Sequence, residues 1–113
     1  MILMLSEKYV LHIPLYKFEK EKVIKINIET VLDELFENLN KNSFDGFYTQ
    51  NVKSHWKART YDEIIITVYT SSQKKDILED VFCRWFEKNN HVLLQEAYAF
   101  ERNNNLVIKN LKL

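Results

Sequence analysis

Glycine, proline and cysteine each occur once in the 113 residues, and neither sign of charge is in excess. A loop that cradles phosphate needs several glycines within a few residues, so a chain whose one glycine is Gly46 cannot build it. Collagen-like repeats and low-complexity linkers fall to the same scarcity. A lone cysteine, Cys83, cannot close an intramolecular disulfide, which fits a reducing compartment. With 16 basic and 16 acidic residues the formal charge is zero, so nonspecific nucleic-acid binding would need a local basic patch. Long apolar runs are missing too. The opening Met1–Leu5 stretch stops at Ser6-Glu7-Lys8, shorter than a secretory signal core, and nothing later approaches the ~18 apolar residues of a membrane span. The expectation is a cytoplasmic protein with no membrane partner.

What is present is a globular composition: 46% apolar, 28% charged and 13% aromatic residues. Residues 1–113 fit one domain with a genuine core. Between Lys8 and Tyr16, Tyr9, Leu11, Ile13 and Leu15 alternate with Val10, His12, Pro14 and Tyr16, the period of a half-buried strand. Pro14 has no N–H, which places this strand at an edge or bulges it there. Lys17–Lys22 reads as a solvated turn, and Val23–Ile26 as a short strand. Asn27 is a candidate cap for a helix whose apolar face is Ile28, Val31, Leu32, Leu35, Phe36 and Leu39, ending near Asn38–Asn42.

A turn at Phe44–Phe47 leads into an extended stretch from Phe47 to about Trp56. Lys57–Tyr61 then connects it to Glu63–Tyr69, where three isoleucines followed by Thr, Val and Tyr signal a central strand. Ser71 or Ser72 is the expected cap of a second helix, with a stripe of Ile77, Leu78, Val81, Phe82, Trp85 and Phe86 and an end at Asn89-Asn90. His91–Phe100 reads as extended, Glu101–Asn105 as a hairpin loop, and Leu106–Ile108 as the start of a last strand. Strand, helix, strand, strand, helix, strand is the ferredoxin-like βαββαβ pattern, here with a C-terminal hairpin extension. The expected class is therefore α+β, a two-layer antiparallel sheet with two helices on one face. A winged-helix arrangement is the alternative, but it wants a third helix.

The inventory for catalysis is thin. His12, His55, His91 and Cys83 lie on separate elements with no metal-ligand spacing, so neither a metal nor another cofactor is implied. No nucleophile elbow is present, and the paired carboxylates Asp33-Glu34 and Glu79-Asp80 belong to solvated helix faces. Two features carry more. Lys53, His55, Trp56, Lys57 and Arg59 form a basic strip with an aromatic inside it, able to contact phosphates and stack a base, or simply to keep a hairpin soluble. Strand parity also leaves a second sheet face bearing Val10, His12, Tyr16, Ile65, Thr67, Tyr69 and Tyr98. Monomers seldom leave an apolar, tyrosine-rich face bare. These features suggest three functions. The first is a binding module, a homodimer or partner-protein complex through that face; the second, a nucleic-acid accessory protein; the third, a small enzyme around His12. The inventory favours binding over catalysis.

Overall fold

The computed structural model describes residues 4–19, 22–56 and 58–111, with only the backbone of Phe18, Glu19 and Trp56. Strand β1 (Glu7–Pro14) is followed by a small hairpin of β2 (Tyr16–Glu19) and β3 (Lys22–Lys25). Helix α1 (Glu29–Lys41), strands β4 (Phe47–Trp56) and β5 (Arg59–Thr70), helix α2 (Lys75–Leu93), and strands β6 (Ala97–Arg102) and β7 (Asn105–Asn110) complete the order. Five strands make one antiparallel sheet in the order β4-β5-β1-β6-β7.

Register follows from parity. Tyr9 faces Val68, Leu11 faces Ile66 and Ile13 faces Ile64 across β1 and β5, while Leu11 faces Phe100 across β1 and β6. These residues join Leu35 and Leu39 of α1 and Leu78, Phe82, Trp85 and Phe86 of α2 in one buried cluster. Both helices therefore lie on the same side of the sheet. Aromatic pairs knit the layers: Phe86 stacks on Tyr98 at 4.5 Å, and Phe36 on Phe47 at 5.6 Å. Among the described residues, no buried side-chain nitrogen or oxygen lacks a hydrogen-bond partner. Trp85 Nε1 donates to the Val31 carbonyl at 2.7 Å, and the Tyr9 hydroxyl donates to Glu79 at 2.6 Å.

Several boundaries differ from the sequence reading, each for a local reason. β1 lies in the middle of the sheet, not at an edge; Pro14 is its last residue, and pairing with β6 has already stopped at His12, so the missing N–H is not needed there. Lys17–Lys22 is not simply a turn, because Tyr16–Glu19 pairs with Lys22–Lys25. β5 begins at Arg59, within the expected connection. Helix α2 runs to Leu93 rather than stopping at Asn89-Asn90. Both asparagines are buried and bonded, Asn89 to the Trp85 carbonyl and Asn90 to the backbone of Gln95. The helix ends instead at Leu94, with φ +48°.

Ile28 rather than Asn27 occupies the N-cap of α1, although the Asn27 side chain accepts a long bond from the Glu29 N–H at 3.4 Å. Ser71 precedes a single 3₁₀ turn, Ser72–Lys74, and its side chain makes no capping bond. Ile77 is exposed and not part of the buried stripe. Beyond that turn, no third helix exists among the described residues, which removes the winged-helix alternative.

The loop between β6 and β7 is two residues long, with positive φ at both Asn103 (50°) and Asn104 (71°), the mirror-image turn that suits hairpin twist. Asn103 also fastens the turn to β1, accepting from the Lys8 N–H at 2.8 Å and donating to Glu7 at 2.6 Å. Two stability changes follow. Phe86→Ala, which empties the helix side of the Tyr98 stack, is expected to lower unfolding free energy by about 3–5 kcal/mol in denaturant titration. Asn104→Gly relieves a left-handed position and is expected to raise it by up to about 1 kcal/mol.

Candidate functional site

Alternation that buries Tyr9, Leu11 and Ile13 under the helices turns Val10 and His12 to the opposite, open face. Register brings Thr67 and Glu101 beside Val10, and Ile65 and Ala99 beside His12. Glu63 follows on β5 with the same parity, and Ser54 is on the same face of β4. These side chains converge. His12 Nδ1 lies 2.5 Å from Glu63 Oε1, and His12 Nε2 lies 2.8 Å from Glu101 Oε2. The Ser54 hydroxyl donates to the other Glu63 oxygen at 2.6 Å. One polar chain, Ser54–Glu63–His12–Glu101, thus crosses four adjacent strands.

A neutral imidazole has a single N–H, so it can donate to one acceptor only. Two ionised carboxylates at hydrogen-bond distance, one on each ring nitrogen, require the doubly protonated ring. The energetics agree. The hydrogen bond to Glu63 is the largest influence on His12 and raises its pKa above the ordinary value; partial burial opposes this and Glu101 reinforces it. Burial alone would raise the Glu63 carboxyl, but the bonds from His12 and Ser54 outweigh it and hold it below the usual carboxylate value. Side-chain exposures of 29% for His12, 15% for Glu63 and 35% for Glu101 place the cluster between a surface ion pair and a buried one.

Around the cluster the face is apolar. Thr67, at 2% exposure, and Val10 are already shielded, while Tyr48, Tyr69, Leu106 and Ile108 stand out toward solvent. Leu106 pairs with Glu101 and Ile108 with Ala99, so both β7 residues flank the cluster. Tyr16 sits apart from His12. The chain bends at Leu15, and the Tyr16 ring packs 5.8 Å from Tyr61 while its hydroxyl donates to Asp62 at 3.2 Å.

Tyr98 does not belong to this face. Leu11 opposite Phe100 fixes the parity of β6, so Tyr98 points with Phe100 into the helix layer and is buried there at 4% exposure. Glu101 reaches the cluster because β6 runs to Arg102 and the β6–β7 loop is only Asn103-Asn104, shorter than the Glu101–Asn105 loop the sequence suggests. Neither Glu63 nor Ser54 stood out in the sequence either. The available signal was that Glu63 shares the period of Ile65 and Thr67, but only the register identifies its partners.

The basic strip occupies the end of the β4–β5 hairpin, which extends past β1 beyond the Pro14–Glu63 pair. Lys53 is bonded to Asp62 at 2.7 Å and His55 to Thr60 at 3.1 Å, whereas Arg59 is exposed. Trp56 pairs with Arg59 through the backbone; its side chain and Lys57 lie outside the described residues. Among the described residues, no three His, Cys, Asp or Glu side chains are placed to hold a metal, and no helix is long and apolar enough to cross a membrane.

No family model matches the chain, and no curated protein does. Solved structures do. A DUF3240 family protein from Shewanella baltica OS155 superposes with a TM-score of 0.54 at 11% identity, over 97% of this chain and 94% of the other. A phage SAM lyase in complex with S-methyl-5′-thioadenosine gives 0.57 at 11% identity, over 97% and 95%. A phage SAM lyase in its apo state gives 0.53 at 10% identity, over 100% and 98%. At such identities the likeness is one of fold.

Stability should record the charge on His12. Its pKa is raised on folding, so its contribution is complete below the unfolded value of ~6.5 and is lost as pH rises through the higher folded value. Glu63, lowered on folding, contributes above its unfolded value of ~4.3 and ceases to as pH falls through the folded one. His12→Gln is therefore expected to cost about 1–2 kcal/mol near pH 6, with the deficit shrinking toward about pH 9, in urea titrations at both pH values. An equal deficit at both would contradict a charged His12.

Proposed function

We propose that the protein self-associates through the open face of its sheet, enclosing the His12–Glu63–Glu101 cluster between copies. We read the sheet order as a ferredoxin-like βαββαβ core with β7 added, residues 1–113 as one unit, and the cytoplasm as its place. The observation that carries the reading is the composition of the open face. Leu106 and Ile108 are 61% and 64% exposed beside the half-buried polar cluster, and Tyr48 and Tyr69 stand exposed on the same face toward the start of β1. Exposed apolar side chains beside a polar cluster that is already hydrogen-bonded supply the area that a self-complementary contact buries.

A second reading, a small enzyme centred on His12, has its own support. An imidazolium between two carboxylates, one of them held by Ser54, can give up a proton and regain it while its ring stays fixed. The phage SAM lyases supply a precedent for small-molecule chemistry on this fold. Incubating the protein with SAM and separating the products by chromatography tests it. A nucleoside product formed by the wild type and absent with Glu63→Gln would support the reading, and unchanged SAM would remove that substrate. Nucleic-acid binding through the hairpin end has weaker grounds, because the Lys53 charge is already engaged by Asp62.

Self-association is tested by sedimentation velocity across a concentration series up to about 50 μM. The wild type is expected to form a defined oligomer, and Leu106→Asp combined with Ile108→Asp to shift it to monomer with unchanged circular dichroism. A wild type that stays monomeric throughout would overturn the reading.

A further inference from the structure

His12 gives the open face two chemical states, and the consequence rests on the self-association proposed above. We propose that loss of the His12 proton loosens the contact between copies, so that assembly is pH-controlled: tight in neutral and mildly acidic solution, weak in alkaline solution. The geometry carries this. With the imidazolium present, one cation stands between two carboxylates, and the group has a net charge of one negative. Both ring nitrogens and both Glu63 oxygens then have partners inside the chain. A second copy can cover that arrangement with His12 and Glu63 fully paired and a single net negative charge enclosed.

The deprotonated ring keeps one N–H for two carboxylates. One carboxylate then loses its donor, and the net charge becomes two negative. In the free chain water can solvate the orphaned carboxylate, whereas a covered face excludes that water. A symmetric contact meets the cost once for every copy.

Few titratable groups face His12 from the elements packed around it. Glu63 comes from β5 and Glu101 from β6, and these are the charged groups that act on the ring among the described residues. β4 contributes the uncharged Ser54, which touches Glu63 and not the ring. β7 presents Ile108 beside Ala99, the residue opposite His12. On β1 itself the same-face neighbours are Val10 and Pro14, and both helices lie behind the sheet.

Sedimentation velocity on the full chain, at about pH 6 and about pH 9, tests the proposal with the wild type and Glu101→Gln. The wild-type dissociation constant is expected to rise at least about tenfold between the two. Glu101→Gln is expected to assemble at both pH values with less than about a threefold change. An amide at 101 can donate to the bare nitrogen of a neutral ring, and it removes the second negative charge. A wild type that assembles equally well at both pH values would overturn the pH control and leave self-association standing. A monomer at both would overturn the two together. A full tenfold change retained in Glu101→Gln would assign the dependence to another group and overturn the role of His12.

Discussion

The structure depends on β1 being a central strand with two different sides. Tyr9, Leu11 and Ile13 serve the helix layer, while Val10 and His12 serve the open face. A slip of one residue would put His12 under Phe82 and Leu35 and leave the aromatic core in water, so both the core and the site require one register. That register is held at both ends of the strand. Asn103 clips the β6–β7 turn to the start of β1 through Lys8 and Glu7, and Pro14 closes the other end where pairing on the β6 side has stopped. With β1 third of five strands, carboxylates from both neighbours can reach the same imidazole.

The two sides treat polar groups differently. On the helix side the buried hydroxyl of Tyr9 is bonded to Glu79, which Arg102 also holds at 3.0 Å; burial foremost, and then Glu79, push the tyrosine well above its usual pKa. The Trp85 indole and the Asn89 and Asn90 amides end on backbone carbonyls. None of these groups changes charge near neutrality, so this layer keeps the same bonds across the physiological range. The open side uses the one residue type that does change there. Permanent bonds fix the scaffold, and the titratable ones lie where water, or a second molecule, can reach them.

Much of the scaffold was legible because it rests on local signals. Three isoleucines with Thr, Val and Tyr mark β5, helical spacing marks α1 and most of α2, and consecutive asparagines mark the β6–β7 turn through their tolerance of positive φ. What failed was set by tertiary burial or by partners distant in sequence. Asn89 and Asn90 look like helix terminators, yet tertiary burial turns them into internal bonds and the helix continues a turn further. Tyr98 lies on the helix side, against the sequence expectation, because its parity comes from Leu11 meeting Phe100 across 89 positions of chain, not from its own neighbours. The site was hidden for the same reason. His12 could be singled out as a histidine on the less apolar parity, but Glu63 reads as the charged start of a strand and Glu101 as part of a polar loop.

That hidden cluster also explains why association and chemistry are not rival accounts of the same face. On an isolated chain His12, Glu63 and Glu101 are open enough for water to weaken their mutual attraction, which suits neither a strong ion pair nor a tuned acid or base. Covering the face that carries Tyr48, Tyr69, Leu106 and Ile108 would lower the local dielectric and strengthen the interactions within the cluster. Any proton transfer at His12 therefore depends on what covers the face. The same coverage raises the cost of an unpaired carboxylate, so the charge state of one imidazole and the closure of the surface around it are physically coupled.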